Sequence, residues 1–553
     1  MKKWKGKAVA LTLLLFALYV LFNHPNLNPL YPEAAFLYCV LITVLVGIFT
    51  LDKLGRVVTE PGAMPGVPGG VHFVKAVNAK RWPVVLVGAV WAVYLLVSVG
   101  SSFIFQVNAF RDQMPTLQEL DFAQDFKAVD ASQLPIVDEA MARKLADKKL
   151  GERPSLGSQV VLGEPTLQQV DGKLVWAVPT LHSGVFKWLT NMEGTPGYVV
   201  VSATNPQDVE YVDGYNLKYQ PGAYLWQNLL FYARFTAAPF TGLTDYSFEL
   251  DDTGRPYWVI TTYQYLRGFS LPEATGAIVM DCATGESRRY AIAELPEWVD
   301  RVQPENFIMT QLNNKGEFVH GYLNFSDKDK YRTSEGDTLI YNNGHCYLFT
   351  GLTSVGGDQS AIGFVMVDMV TKEPIMYEMS GATEEAAQRS AEGRVQDLKY
   401  RATFPIILNI DSQPTYFMTL KDNIGLIKQY AFVSVTNYST VGTGESVSAA
   451  MRDYENKLRS DGVTTIGKLG GVVEQLEGTI LRISGEYSGG NTVYKFLLSE
   501  KPNILFIAES TAGAELALTQ PNDKIQVEYS LSSDGTAEVT SFDNLLFTQK
   551  AAS

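Results

Sequence analysis

The chain of 553 residues carries 45 Lys and Arg against 59 Asp and Glu, a formal net charge of -14. A chain of this length is predicted to form several domains, and its 46% hydrophobic content excludes global disorder. The charge is uneven, because residues 1–106 contain nine basic and three acidic side chains, which leaves about -20 for the remainder. Such an acidic remainder repels phosphate, which argues against an ordinary nucleic-acid-binding protein.

Three uncharged apolar stretches predict transmembrane helices over about 8–24, 34–51 and 83–106. At about 1.5 Å per residue, the second and third are long enough to cross a hydrocarbon core of about 30 Å. The first resembles the core of a signal peptide, but no small-x-small cleavage site follows it. We therefore expect an uncleaved first span, and the sequence leaves cleavage open. No span has an interior ionisable residue, which favours an anchor over a transporter.

Basic residues predict the orientation of the anchor. Four lysines precede the first span, and the segment between the second and third spans holds five basic residues, Lys53, Arg56, Lys75, Lys80 and Arg81. Positive charge favours the cytoplasmic side. We therefore expect a multi-pass plasma-membrane protein with a cytoplasmic N-terminus and a large extracytoplasmic C-terminal region. Cys282 and Cys346 lie in that region, and the sequence does not decide whether they pair.

Four segments of this outer region share one plan: a strand, a tight turn, a strand with a large apolar residue, and a further β-rich run. The turn segments are 170–178, 251–260, 341–350 and 409–419, and the large apolar residues at one register are Trp176, Trp258, Leu348 and Phe417. Asp-Gly and Asn-Gly favour hairpins because both residues tolerate positive φ. The later runs share a short polar residue, at Ser202, Asp281, Asp368 and Ser434. We expect these side chains to cap turns, with ligand binding as the alternative.

Helical patterns at 137–149 and from Thr383 precede two of these segments. The succession of helix, hairpin and closing strand, with IVMDCATGE at 278–286, resembles the PepSY module of exported and membrane-tethered bacterial proteins. The resemblance covers about residues 135–440. It implies tandem antiparallel α+β repeats and a non-catalytic role in restraining or regulating peptidases of the cell envelope, and it assigns no individual inhibitory residue.

After an amphipathic helix at 446–458, five short strand-like runs occupy about 463–548, with a helical stretch before the fourth. This order is similar to an OB-fold barrel. OB barrels bind oligonucleotides, oligosaccharides or proteins, and this segment has few basic residues, so we expect a structural or protein-binding barrel. The chain is thus predicted to be α+β, with a membrane anchor at 1–110, four α+β repeats at 111–215, 216–300, 301–380 and 381–460, the last with its linking helix, and an OB-like barrel at 461–553.

No motif in the sequence carries recognisable chemistry. The five histidines, His24, His72, His182, His320 and His345, lack the spacing of a zinc site. His182 and Ser183 form the one neighbouring His-Ser pair, without a GxSxG turn. The acidic stretch 327–337 lacks the mid-loop glycine of a calcium loop. We therefore assign no catalytic, cofactor-binding or metal-binding residue, and expect neither enzymatic activity nor a cofactor.

The function predicted from these features is that of a membrane-anchored, extracytoplasmic protein that binds or regulates other envelope or membrane proteins. One alternative is recognition of a cell-wall glycan through Trp188, Tyr211 and Trp258. Another is a hydrolase of unusual type that uses His182, His320 or His345. Nucleic-acid binding by the barrel is the least expected of the alternatives.

Overall fold

The computed structural model describes residues 2–54, 56–59, 71–74, 82–126, 134–342, 344–355, 361–410, 412–461, 474–488, 491–531 and 536–548. Three long apolar helices come first, α1 (Lys2–Asn23), α2 (Pro32–Leu54) and α3 (Trp82–Gly100). Each contains 19 or 20 residues that are apolar enough to cross a membrane and are almost unburied within the protein. Between α2 and α3, strands β1 (Arg56–Thr59) and β2 (Val71–Val74) pair antiparallel. Lys75, Lys80 and Arg81, on which the predicted orientation partly rests, lie outside the described residues.

The third candidate span ends earlier than predicted, at Gly100 instead of about 106. Ser102 has an extended backbone, with φ of -69° and ψ of 160°, and a new helix α4 (Phe103–Asp112) follows it. The hydroxyls of Ser101 and Ser102 donate to the carbonyl oxygens of Val97 and Val99, both at 2.7 Å. The same two carbonyl oxygens also accept the backbone amides of Ser101 and Ser102, so the hydroxyls add a second bond to each. The sequence stays uncharged and mainly apolar on both sides of this break. The hydrophobic pattern alone therefore did not indicate where the third helix ends.

The outer region contains four mainly antiparallel sheets, each preceded by a helix. After β3 (Gln118–Leu120) and α5 (Phe122–Asp125), the first comprises α6 (Glu139–Gly151), α7 (Pro154–Gly157), β4 (Val160–Leu162), β5 (Thr166–Val170), β6 (Lys173–His182), α8 (Val185–Thr190), β7 (Thr195–Ser202) and β8 (Val209–Leu217). The second comprises α9 (Leu229–Thr236), β9 (Gly242–Leu250), β10 (Pro256–Arg267), β11 (Ser270–Asp281) and β12 (Ser287–Ala291). In both sheets the long strands are neighbours in chain order.

The third and fourth sheets repeat this meander. The third comprises α10 (Glu305–Glu317), β13 (Tyr331–Thr333), β14 (Thr338–Asn342), β15 (His345–Ser354), β16 (Ala361–Asp368) and β17 (Pro374–Gly381). The fourth comprises α11 (Glu384–Arg394), β18 (Arg401–Ala402), β19 (Ile406–Ile410), β20 (Gln413–Lys421), β21 (Ile427–Ser434), β22 (Val441–Gly444) and α12 (Val447–Ser460). Strand β3 pairs in parallel with β17. Residues 118–120, which the sequence placed in the first repeat, therefore belong to the third sheet.

The repeated short polar residues cap turns, as the sequence predicted. Ser202 Oγ accepts from the Asn205 amide at 3.1 Å, and Ser434 Oγ accepts from the Asn437 amide at 3.2 Å. The carboxylates do the same in the other two sheets, where Asp281 accepts from Thr284 N and Asp368 accepts from Thr371 N, both at 2.7 Å. Because each cap uses local backbone groups, a short sequence pattern was sufficient to reveal it.

The sheets pack in pairs. Ala177 and Tyr198 of the first sheet share a core with Phe248 and Ile278 of the second. The third and fourth sheets share another core, built around Phe349, Phe364, Tyr416 and Met418. Helices cover the other faces, with α6 on the first sheet, α10 on the third and α12 on the fourth. Burial of these apolar faces is the main favourable contribution to folding.

The segment that follows α4 is bound to two sheets at once. Gln113, just after α4, donates to Pro272 O on β11 at 2.8 Å and accepts from Lys372 Nζ, beside β17, at 3.1 Å. Lys372 is buried and also pairs with the Glu273 carboxylate of the second sheet. The buried ammonium group therefore has an ionic partner, without which its desolvation would be costly.

The C-terminal region is a small closed barrel of five strands, β23 (Glu474–Ser488), β24 (Asn491–Leu498), β25 (Phe506–Glu509), β26 (Lys524–Leu531) and β27 (Ala537–Asn544), followed by α13 (Leu545–Thr548). The strands adjoin in the order β23-β24-β25-β27-β26. Short 3-10 turns at 510–512 and 514–518 occupy the place of the predicted helix before the fourth strand. Residues 462–473, which include the predicted start of the barrel, lie outside the described residues.

Candidate ligand-binding site between the anchor and the second sheet

A cavity of about 800 Å³ lies between the anchor and the second sheet. We call it the anchor pocket. One wall is formed by the first turns of α2 and the C-terminal half of α3, and the other by the residues just before β9, the β10–β11 hairpin and residues of β10, β11 and β12. Its volume is within the range of sites that bind drug-sized ligands, about 300–1,000 Å³.

The loop between α1 and α2 forms one end of the pocket. Tyr31 is buried, and its hydroxyl donates to Tyr263 O at 2.6 Å and accepts from Gly242 N at 2.9 Å. Asn28 donates to Phe240 O at 3.0 Å. These bonds join residues more than 200 positions apart in the sequence, and they hold the loop against the edge of the second sheet.

The hairpin between β10 and β11 forms the opposite end. Phe269 lies against Tyr94 of α3, with ring centroids 5.4 Å apart, and its amide donates to Ser101 Oγ at 3.3 Å. Gly268 has φ of +54°, and a Cβ there would lie 3.0 Å from Ser101 Cβ and 3.1 Å from Val97 Cγ1. The hairpin tip therefore needs glycine both for its backbone angle and for its close approach to α3.

The walls of the anchor pocket are mainly apolar within the anchor. Ala35, Tyr38 and Cys39 of α2 face Val90 and Tyr94 of α3. Cys39 is seven residues after the start of α2, so at about 1.5 Å per residue the pocket reaches about 10 Å below the end of the helix. In a bilayer with a core of about 30 Å, that depth is about two-thirds of one leaflet.

One arginine, Arg289, lines the pocket on the sheet side, and a second, Arg234, bonds to the lining residue Thr241. Arg289 on β12 is exposed and donates to Thr241 Oγ1 at 3.2 Å, and among the described residues no carboxylate pairs with it. Arg234 on α9 is buried, donates to Ala238 O at 2.9 Å and also donates to Thr241 O. Burial lowers the pKa of Arg234, although a guanidinium group stays charged at neutral pH. The pocket therefore combines apolar walls with positive charge at one end.

Two phenols of the pocket, those of Tyr263 and Tyr265, stay neutral. Burial raises the pKa of both above the usual value of a tyrosine. The rings of these residues lie 5.7 Å apart, and each contacts the ring of Tyr31. Such rings add apolar contact area and hydroxyl groups that can donate hydrogen bonds.

A separate polar cluster lies where the first three sheets meet. Glu249 on β9 accepts from Asp300 N at 3.2 Å, and Asp300 accepts from Gln169 N at 2.8 Å and from the Tyr341 hydroxyl at 2.9 Å. Burial raises the pKa of Glu249 to about 8, and that of Asp300 to about 6. Because these groups bond to one another and to the backbone of different sheets, the cluster ties the sheets together.

The residues that sequence analysis weighed for chemistry do not line the anchor pocket. His182 is buried on β6, His320 bonds to Asp329 at 2.7 Å on the surface, and His345 lies 3.3 Å from Asp368. Cys282 and Cys346 are both free, buried thiols. Within the described part of the chain, no group of three or more His, Cys, Asp or Glu is placed to hold a metal ion.

The aromatic residues considered for glycan binding are parts of the core. Trp188, Tyr211 and Trp258 are each less than one-tenth exposed. Trp188 Nε1 donates to Gln227 Oε1 at 2.6 Å, and Trp258 Nε1 donates to Tyr219 O at 2.8 Å. None of the three presents a ring to a glycan. The residues that line the anchor pocket form no motif in the sequence. The Tyr263-x-Tyr265 pair and Arg289 are the features of the sequence that could have pointed to it.

Comparisons with known proteins give no family. No family model matches the chain, and no curated protein matches it. Among solved structures, the chain is similar to a mutant of B. megaterium levansucrase, with 10% identity over 78% of this chain and 94% of that one, at a TM-score of 0.19. It is also similar to an α-L-arabinofuranosidase from Lactobacillus brevis, with 8% identity over 70% and 96% of the two chains, at a TM-score of 0.15. Similarity at this level establishes no shared fold or activity.

Proposed function

We propose that this protein is a membrane-anchored, extracytoplasmic, non-catalytic protein that binds one amphipathic lipid in the anchor pocket. The observation that carries the proposal is the cavity of about 800 Å³ between the candidate spans and the second sheet. Its apolar walls lie at the depth of the acyl chains, and Arg289 lies at the sheet side, where a head group would meet it. The extracytoplasmic placement rests on the basic residues before α1 and between α2 and α3.

The chemistry of the pocket favours a lipid that carries a phosphate or carboxylate in its head group. Arg289 has a guanidinium group without a carboxylate partner among the described residues, and Thr241 Oγ1 lies 3.2 Å from its Nη1 atom. A guanidinium group binds phosphate and carboxylate in a bidentate way. An acyl chain would extend from this point between α2 and α3, in contact with residues such as Val90 and Val93.

The first experiment fills the pocket. The full chain is purified in mild detergent, and the lipids that remain bound are extracted and identified by mass spectrometry. Ala89 lines the pocket, whereas Ala92, on the same helix, is exposed and does not line it. We expect Ala89→Trp to lose the bound lipid and Ala92→Trp to retain it. Equal lipid retention by wild type and Ala89→Trp would overturn the proposal.

The second experiment tests the head group. Arg288 neighbours Arg289 in the sequence, but its guanidinium group lies over the Tyr290 ring at 4.8 Å from the centroid and does not line the pocket. We expect Arg289→Gln to retain less anionic lipid than wild type, by about tenfold, the equivalent of one charged hydrogen bond. Arg288→Gln is the matched control, and an equal loss in both variants contradicts a specific role of Arg289.

A protein-binding role remains a second proposal, for the barrel. Two of its lysines are already paired, Lys495 with Glu486 at 2.5 Å and Lys501 with Glu474 at 2.9 Å. Tyr487 is 78% exposed on the barrel surface. Paired lysines and exposed aromatic surface favour contact with a protein over contact with a phosphate backbone. Crosslinking in membranes tests this role: a partner should be captured by the full chain and lost by a chain that ends at Asp461.

A further inference from the structure

Two groups of exposed apolar side chains flank the anchor on the side of the outer region. The first is Trp226 and Phe235, which are 59% and 44% exposed. The second is Leu323 and Phe325, which are 74% and 78% exposed. We call them the membrane-facing patches. Large apolar groups that stay exposed in a folded protein generally mark a contact surface.

The first patch lies at the end of α1. Phe231 of α9 contacts the ring of His24, the residue after α1, with centroids 4.9 Å apart, and Phe235 contacts Phe231 at 4.7 Å. Arg234 Nε donates to His24 O at 3.4 Å. Helix α9 and the preceding turn with Trp226 therefore lie at the level where the first candidate span ends.

The second patch lies at the end of α3. Phe103, three residues after Gly100, contacts the rings of Phe318 and Tyr322, with centroids 5.9 Å and 5.6 Å apart. Tyr322 in turn contacts Phe325 at 6.4 Å. Several charged groups beside this patch are partnered, since His320 bonds to Asp329 and Lys330 pairs with Glu317 at 2.8 Å. Lys328 is exposed, and no carboxylate among the described residues pairs with it. The loop can therefore approach an apolar phase without exposing many unpaired charges.

We propose that both patches lie in the outer leaflet of the membrane, so that the outer region rests on the bilayer. The occupant of the patches is the lipid surface, because both are continuous with the ends of the candidate spans. Tryptophan and other aromatic residues are favoured at the boundary between head groups and acyl chains. This inference goes beyond the proposed function, since the contacts lie outside the anchor pocket and need no specific ligand.

The test places an environment-sensitive dye at single exposed sites of the full chain in phosphatidylcholine vesicles. The variants are Trp226→Cys and Phe325→Cys in the two patches, Leu15→Cys in α1 as the membrane control, and Ile424→Cys as the water control. Ile424 is 69% exposed in the turn after β20, beside Lys144 of α6. The native cysteines are buried, and the wild-type chain treated with the same dye gives the blank. All substituted side chains are exposed, so the fold is expected to tolerate them.

We expect the dye at residues 226 and 325 to show a blue-shifted emission and quenching by a lipid with a nitroxide near the head of its acyl chain. A second lipid carries the nitroxide near the methyl end of its acyl chain, and it should quench the dye at Leu15 more strongly than the first lipid does. At Ile424 neither lipid should quench the dye. Emission at 226 and 325 equal to that at Ile424 would overturn the inference. A blue shift without quenching by either lipid would also overturn it, because the patches would then be covered by a second copy of the chain.

Discussion

The second sheet and the C-terminal barrel differ in how they relate to the anchor. The second sheet is bonded to the loop between α1 and α2 through Tyr31 and Asn28, and its hairpin tip packs on α3. The barrel has its own core, built around Phe496, Phe506 and Tyr529 and distinct from the cores of the sheets. The comparison teaches that one chain contains a unit fixed to the membrane helices and a unit that folds around a separate core.

The largest expected difference between these regions is their response to pH. The pKa of the buried Glu249 is raised to about 8 from 4.5, so between these values the folded state holds a proton that the unfolded state has released. The free energy of unfolding of the sheet region should therefore fall as pH rises from about 5 to about 8, by roughly 4 kcal/mol. In the barrel, hydrogen bonds from Tyr529 and Lys501 lower the pKa of Glu474. We therefore expect no loss of stability there as pH rises over this range.

Tryptophan fluorescence measures this difference directly. All eight tryptophans lie before residue 299, and the barrel contains none. Denaturant unfolding followed by tryptophan emission therefore reports on the anchor and the sheets. Glu249→Gln should flatten the pH dependence, and Glu486→Gln, an exposed site in the barrel, should keep the wild-type slope. The same slope in wild type and Glu249→Gln would refute the role of Glu249.

A smaller effect is expected at the contact between the hairpin tip and α3. Gly268→Val introduces a side chain where Ser101 and Val97 already lie within about 3 Å of a Cβ atom, and we expect the tip to leave α3. Gly214→Val is the matched control, because Gly214 has φ of +95° but nothing within 4 Å of its Cβ position. Both variants share backbone strain of about 1–2 kcal/mol. Trypsin should cut after the exposed Arg267 faster in Gly268→Val alone, and equal cutting rates would show that the close approach is unimportant.

The smallest expected effect is that of removing the barrel. A chain that ends at Asp461 should unfold, by tryptophan emission, within about 0.5 kcal/mol of the full chain, as expected for regions with separate hydrophobic cores. It should also retain the lipid of the anchor pocket. A larger loss of stability would show that the barrel packs on the sheets, and the separation of the two regions would have to be abandoned.

The sequence was informative wherever structure depends on neighbouring residues. Apolar runs predicted the three candidate spans, Asp171-Gly172 predicted a hairpin turn, and Ser202 and Asp281 predicted turn caps. The alternating runs of the barrel predicted five strands, and five strands close into a barrel. Each of these patterns lies within a few residues of the chain, where backbone geometry follows from local side-chain chemistry.

The anchor pocket could not be predicted in this way. It depends on Tyr31 meeting Tyr263, 232 positions apart, and on Phe269 meeting Ser101, 168 positions apart. Tyr31 carried no local signal, because a single tyrosine beside a span is common at membrane interfaces. Arg234 would ordinarily be expected on the surface, yet it is buried and donates to the backbone carbonyl groups of His24 and Thr241.

The binding of Gln113 to both Pro272 and Lys372 has a mechanical consequence. The loop after α1 is attached to the second sheet, the hairpin tip of that sheet is attached to α3, and the segment after α4 is attached to the second and third sheets, so the helices and the outer region are joined at separated points. One attachment would allow the outer region to swing about a hinge, whereas several resist rotation in most directions. A change in the tilt of α3, for instance in a thinner bilayer, would therefore be passed to the sheets as a rigid displacement instead of being absorbed by a linker.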